Sequence, residues 1–345
     1  FKALEKITVE GEVLDASGQL VTDFTGIVNP TVKDSKVTVT CLKNSNKDDT
    51  PAFTFTDYPN TIFIGNDSVR NGKFSFTFTV PKDISYSNLQ GKMNLYAVDT
   101  ENGHEAQGNF DNFIVGGTSD TAETDTIGPE IRALYLNDTT FVDGGQVNTT
   151  PYFVAELWDK SGVNITGSSV GHDMMLVIDE STVLSYNLNS YYELLPGEEG
   201  AGIVKFPIPA LEPGKHTAEF WVWDIQNNST VRTFTFEVVE GLKPFLFDVI
   251  ATPGIAREQV TFHLMHNRPE SRMRVGIMVY DLAGRQLWKH EESGTSGLFE
   301  NYTVSWDLTC GGARMRPGVY IYRAAISTDN SKDATKARKF IILGE

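Results

Sequence analysis

Two cysteines in 345 residues are too few for a disulfide framework. No apolar run reaches the roughly 18 residues that a membrane-crossing helix needs, and helical periodicity is nearly absent. Histidine is scarce, with 6 in the chain, and no spaced His/Cys set of the kind that holds zinc can be found. Positive charge is also short: 29 Lys+Arg stand against 45 Asp+Glu, a formal net charge of −16. An excess of negative charge repels nucleic acid and anionic membrane surfaces. The remaining composition, 40% hydrophobic and 21% charged, is that of an ordinary globular protein.

The charge is unevenly placed. Residues 241–345 carry 14 Lys+Arg and 11 Asp+Glu, whereas residues 1–240 carry 15 and 34. An acidic body therefore precedes a mildly basic end.

Strand signals fill the chain, separated by Gly, Asn and Asp turns. In Phe74-Ser-Phe-Thr-Phe-Thr-Val80 the apolar residues point one way and the hydroxyls the other, which predicts an antiparallel strand with one face on a core. Val37-Thr-Val-Thr-Cys41 alternates likewise and predicts Cys41 to be a small core residue. Cys310 lies in a turn of another domain, so no bond between the two is expected. Residues 117–128 lack apolar periodicity and end at Gly128-Pro129, the pattern of a linker. The expected architecture is all-β: a sandwich over 1–116, an immunoglobulin-like sandwich over 129–240, and a third sandwich over 241–345. Phe1-Lys-Ala-Leu-Glu-Lys6, with neither Met nor a signal peptide, reads as a cut within a longer polypeptide.

Several residues invite a functional reading beside a structural one. Asp159 and Asp224 each follow a Trp at a strand end, where a carboxylate caps the next turn. With Asn164, Asn227 and Asn228 they also form the oxygen-rich set that calcium accepts, although the spacing is not that of an EF-hand. His172, in Gly171-His-Asp173, is either a ligand or catalytic His, or a turn His fixed by hydrogen bonds. Trp221 and Trp223 fall on the strand face opposite Ala218, Phe220 and Val222, placing two rings outward for domain packing or for a sugar. Arg314, Arg316, Arg323, Lys336, Arg338 and Lys339 gather charge near the last strands, as a solvated face or as a partner contact. Asp67-Ser-Val69, Asp120-Thr-Ala122, Asp125-Thr-Ile127 and Asp138-Thr-Thr140 resemble a bacterial O-glycosylation pattern.

A family resemblance rests on particular segments. Val279-Tyr-Asp-Leu-Ala-Gly-Arg-Gln-Leu-Trp288, Trp306-Asp307, Arg316-Pro-Gly-Val-Tyr-Ile-Tyr-Arg323 and Lys339-Phe-Ile-Ile342 resemble the C-terminal domain of type IX secretion substrates. Ala155-Glu-Leu-Trp-Asp-Lys-Ser-Gly-Val-Asn164, Gly171-His-Asp173 and His216 to Asn228 resemble the segment that follows the peptidase domain in gingipain-like sortases of that system. Val9-Glu-Gly-Glu-Val13 and Asn71-Gly-Lys-Phe-Ser-Phe76 are similar to the same family.

The resemblance implies a surface enzyme that removes the C-terminal signal of secreted cargo proteins and joins them to lipopolysaccharide. Its Cys and His lie in an upstream peptidase domain, so no catalytic residue is expected here. It also implies an outer-membrane β-barrel partner of the PorV type, held through the last domain. One departure is Thr252-Pro253-Gly254, where the family has Asn-Pro. The rival reading is a surface adhesin or carbohydrate-binding protein that carries a secretion signal.

Overall fold

The computed structural model describes residues 1–42, 51–120, 124–167, 171–195, 198, 200–328 and 331–344. Their regular secondary structure is β-strand apart from one short 3₁₀ turn at Asn189–Tyr191, with no α-helix among the described residues. The chain divides into two compact units, the first comprising 1–134, 155–205 and 217–233, the second 135–154, 206–216 and 234–345.

In the first unit, Lys6–Glu12 pairs antiparallel with Lys73–Thr79, so that Val9 faces Phe76 and Ile7 faces Phe78. The alternating side chains of Lys73–Thr79 bury Phe74, Phe76 and Phe78, and Val80 beyond the strand is fully covered. Against them packs a five-stranded sheet in which Lys92–Asp99 and Gly26–Lys33 are central, contributing Val28, Val32 and Met93 to the same core. Phe63 stacks on Phe78 with ring centroids 4.7 Å apart. Each such aromatic or branched side chain gains about 1.5–3 kcal/mol on burial. The outward hydroxyls of Thr8 and Thr77 meet at 3.0 Å.

One expectation fails here. Val37–Thr40 and Thr54–Asp57 pair only with each other, and Cys41, just past the strand, is exposed. Phe53 and Phe55 on the facing strand are 69% and 40% exposed. Alternation assigned Cys41 to the apolar face of this ribbon, but among the described residues that face is only half-covered at Val37 and Val39 and open at Cys41.

Two further sheets have the strand orders Glu130–Leu136, Tyr152–Trp158, Ala201–Pro207, Tyr192–Leu194 and Gln146–Val147, Ser229–Val238, Gly214–Trp223, Met175–Ile178, Ser185–Asn187. In Gly214–Trp223 the residues Ala218, Phe220 and Val222 are buried, while Trp221 and Trp223 lie half-buried on the other face.

Within the second unit, Leu246–Thr252, Val260–His266 and Tyr302–Trp306 form a three-stranded sheet. A five-stranded sheet runs Ile255–Ala256, Ala334–Ile342, Gly318–Ser327, Met273–Tyr280, Gln286–Gly294. Their shared core includes Phe262, Tyr322, Phe340, Trp306, Val275 and Ile277. Tyr322 resolves the cost of its buried hydroxyl by donating to Val249 O at 3.0 Å. Trp306 donates to Thr309 O at 2.8 Å and carries Trp288 stacked on it at 4.5 Å. The buried Arg268 guanidinium donates to Asn267 Oδ1 and to Leu242 O.

Candidate functional site

The two Trp-Asp pairs of the sequence end strands whose following loops lie side by side in the first unit. Asp159 Oδ1 accepts from Ser161 N, Ser161 Oγ and Gly162 N at 2.8, 2.9 and 2.9 Å. Asp224 Oδ1 accepts from Gln226 N and Asn228 N at 2.9 and 2.7 Å, and its Oδ2 from Asn228 Nδ2 at 2.7 Å. Each carboxylate thus shapes its own turn. The loops are then joined: Ile225 N donates to Gly162 O at 3.0 Å and Asn164 N to Trp223 O at 2.8 Å.

Asp125 completes the group from the stretch preceding Gly128. Its Oδ2 lies 2.6 Å from Ser161 Oγ, whose one proton is shared between Asp125 and Asp159, and its Oδ1 accepts from Ile127 N at 3.0 Å. Oxygens of Asp125, Asp159 and Asp224 all come within 4.8 Å of one another. Asp159 is 4% exposed and Asp224 is fully buried. Burial, and then the neighbouring carboxylate, raises the pKa of both, Asp159 through Asp224 and Asp224 through Asp125, partly opposed by the bonds they accept. Asp125 is instead held low, chiefly by the Ser161 hydroxyl. An all-oxygen set of this kind suits a hard cation such as calcium.

Asn227, grouped with this set from the sequence, turns elsewhere. It donates through Nδ2 to Asp83 Oδ1 at 2.9 Å. Asp83, 7% exposed, also accepts from Asn164 Nδ2 at 3.3 Å and pairs with His172 Nδ1 at 2.6 Å. The His172 ring lies 4.5 Å from Trp223, covering part of it. Lys82 N, next to Asp83, donates to Ile225 O at 2.7 Å. Thr61 N donates to Thr166 O at 3.4 Å. Trp221 is tied differently, its Nε1 donating to Glu219 Oε2 at 3.3 Å.

Nothing in the local sequence Pro81-Lys-Asp-Ile84 marks Asp83 as the hub, and Asp125 was visible only as part of a glycosylation-like triplet. Of the other such triplets, Asp120-Thr-Ala122 lies partly outside the described residues.

In the last sandwich the cations are not a single free patch. Arg338 chelates Asp248 with two bonds of 2.9 Å, which with the Val249 N–H holds that carboxyl below its ordinary pKa. Lys336 donates to Phe247 O and Arg314 to Arg257 O. Arg316 offers its carbonyl to the Tyr320 hydroxyl at 2.7 Å, and its side chain, like that of Lys339, belongs to an exposed residue. Cys310 is half-buried and its thiol points to Leu287 O at 2.7 Å.

These paired, twisted sheets with aromatic cores place the chain among all-β sandwich proteins. Compared with known proteins, it is 38% identical to dimeric latent PorU from Porphyromonas gingivalis, covering 100% of this chain and 32% of that one, with a TM-score of 0.41. The chain thus spans about a third of the length of that protein. Identity at this level over the full length supports a PorU-type C-terminal region. Other similar structures are far more distant. The immunoglobulin Ig1-2 module of Drosophila DLAR is 10% identical over 63% of this chain and 98% of its own, with a TM-score of 0.24. Chicken CNTN1 FN1–FN3 is 7% identical over 97% of each, with a TM-score of 0.24. No protein-family model and no curated protein matches the chain.

Proposed function

We propose that this chain is a non-catalytic C-terminal portion of a PorU-type sortase of the type IX secretion system. In this reading it supports an upstream gingipain-like cysteine peptidase domain at the outer face of the outer membrane. Its last sandwich, residues 241–345, docks the enzyme on an outer-membrane β-barrel of the PorV type. The observation that carries the proposal is 38% identity over the whole of this chain to about a third of PorU.

The chemistry of the two thiols is in keeping with a supporting role. A cysteine peptidase needs a thiolate beside an imidazole. Cys310 directs its proton at a backbone carbonyl, and Cys41 sits at the end of an exposed ribbon.

Deleting residues 241–345 from the full-length protein tests the docking role. Loss of the protein from outer-membrane fractions and its appearance in the medium is the expected result. Undiminished retention would refute the assignment. The 345-residue chain itself should neither cleave peptide substrates nor show activity-linked labelling by peptidase-directed thiol reagents; such labelling at Cys310 would overturn the non-catalytic reading.

A further inference from the structure

The outer face of the first unit's five-stranded sheet carries a set of side chains that folding does not explain. Register places Asn109, Asn94 and Thr31 in one row across three strands, and Gln107, Tyr96 and Asn29 in the next. Asparagine is depleted in strands because its side chain competes for the backbone and packs poorly on a pleated surface. Here three of them occupy strand interiors, exposed to solvent. No side-chain hydrogen bond within the chain engages any of the four carboxamides among the described residues. Neither row contains a charge, although 21% of the chain is charged. Local choices that weaken a strand and bring no internal bond in return mark positions kept for something outside the fold.

The six residues line a shallow groove of about 600 Å³. Strand spacing and rise give the two rows a footprint of about 10 Å by 7 Å, enough for one or two pyranose rings. Each carboxamide presents an acceptor and two donors, the combination that binds a pair of adjacent hydroxyl groups. Tyr96 stands among them, 41% exposed. Its ring offers an apolar face to the C–H face of a sugar. Neither row holds a cation; two lysines of this face, Lys33 and Lys92, face each other one row further on, with Lys33 donating to Thr61 Oγ1 at 2.7 Å. The acidic body disfavours nucleic acid.

We infer that this face binds a neutral oligosaccharide, with Tyr96 as the stacking platform and Asn94, Gln107, Asn29 and Asn109 as hydroxyl readers. The site is independent of the PorU-type assignment and of the carboxylate cluster.

Native affinity electrophoresis of the 345-residue chain tests it, using gels that contain β-glucan, mannan or xyloglucan, with polygalacturonate as the anionic control. Retardation by at least one neutral polysaccharide is expected. Tyr96→Ala should weaken it by about tenfold, the equivalent of one aromatic contact, and Asn94→Ala/Gln107→Ala should abolish it. Because all three positions face solvent, both variants should melt as the wild type does. No retardation by any of the three neutral polymers would overturn the inference. So would retardation by polygalacturonate alone, or retardation equal in the wild type and both variants.

Discussion

Replacing Asp159 by Asn should stabilise the protein at neutral pH. Its Oδ1 accepts from the backbone N–H groups of Ser161 and Gly162 in the following turn, and the two lone pairs of an amide oxygen can accept the same two. What the substitution removes is a buried charge with an oxygen within 4.8 Å of those of Asp125 and Asp224. Two unit charges at that separation repel by about 3.5 kcal/mol at an effective dielectric of about 20. Weaker bonds to a neutral acceptor return about half of that. A net gain of about 1–2 kcal/mol corresponds to a rise of roughly 2–8 °C in the melting temperature of a unit this size.

The pH dependence follows from the direction of the shift. Burial raises the folded-state pKa of Asp159, so the wild type loses stability as pH climbs from the unfolded value of about 3.9 to the raised folded one. Above that window the deficit is constant. The advantage of Asp159→Asn should therefore be full at neutral pH and vanish on acidification through the same window. Calorimetry in the presence of EDTA, at neutral and mildly acidic pH, measures it directly. An unchanged or lower melting temperature at neutral pH would refute the repulsion argument. The converse experiment addresses calcium: a cation seated between the carboxylates would raise the wild-type melting temperature, and Asp159→Asn would remove that rise.

The Asp83 hub gives a second expectation. His172→Ala should cost about 1–3 kcal/mol, since it leaves a buried carboxylate short of a partner, and it should red-shift tryptophan emission as Trp223 loses its cover. A third concerns His266, whose pKa is lowered to about 4 by burial and by Arg268. Its Nδ1 accepts from Arg268 N at 3.1 Å, so its proton resides on Nε2, facing Ser296 Oγ at 2.8 Å. The unfolded state takes up a proton near pH 6.5 and the folded state resists it until about 4. Stability should therefore fall by about 3 kcal/mol across that interval, and His266→Gln should flatten the profile in urea titrations. Finally, Gly200→Ala should destabilise by about 1–3 kcal/mol. Gly200 has φ +80° and a methyl group there would sit 2.1 Å from Asp159 O, whereas Gly103→Ala, with open space around it, should cost less in the same thermal melts.

Reading strands from alternation worked where a second layer completes the core. Phe74, Phe76, Phe78 and Val80 are buried as their period implies, and Ala218, Phe220 and Val222 likewise. It failed at Cys41, because periodicity reports which residues share a face and not whether anything covers it. The turn-capping of Asp159 and Asp224 was legible because the donors are two to four residues away. Asp83 was not, since its partners His172 and Asn227 lie 89 and 144 residues along the chain. The amide face of the first sheet escaped notice for a related reason: Asn29, Asn94 and Asn109 look like ordinary turn-forming residues until register places them in facing rows.

The final strand has a mechanical consequence. Ala334–Ile342 is paired along its length with Gly318–Ser327, from Gly318 opposite Ile342 to Ile326 opposite Ala334, and Ile341 and Ile342 also pair in parallel with Ile255 and Ala256. A load applied along this strand shears the whole ladder at once instead of peeling it bond by bond. Forced unfolding is governed by the unfolding rate, and a sheared ladder must give way over many bonds together. Tension on this strand is thereby spread across the sheet that carries Tyr322, Phe340, Val275 and Ile277 of its core.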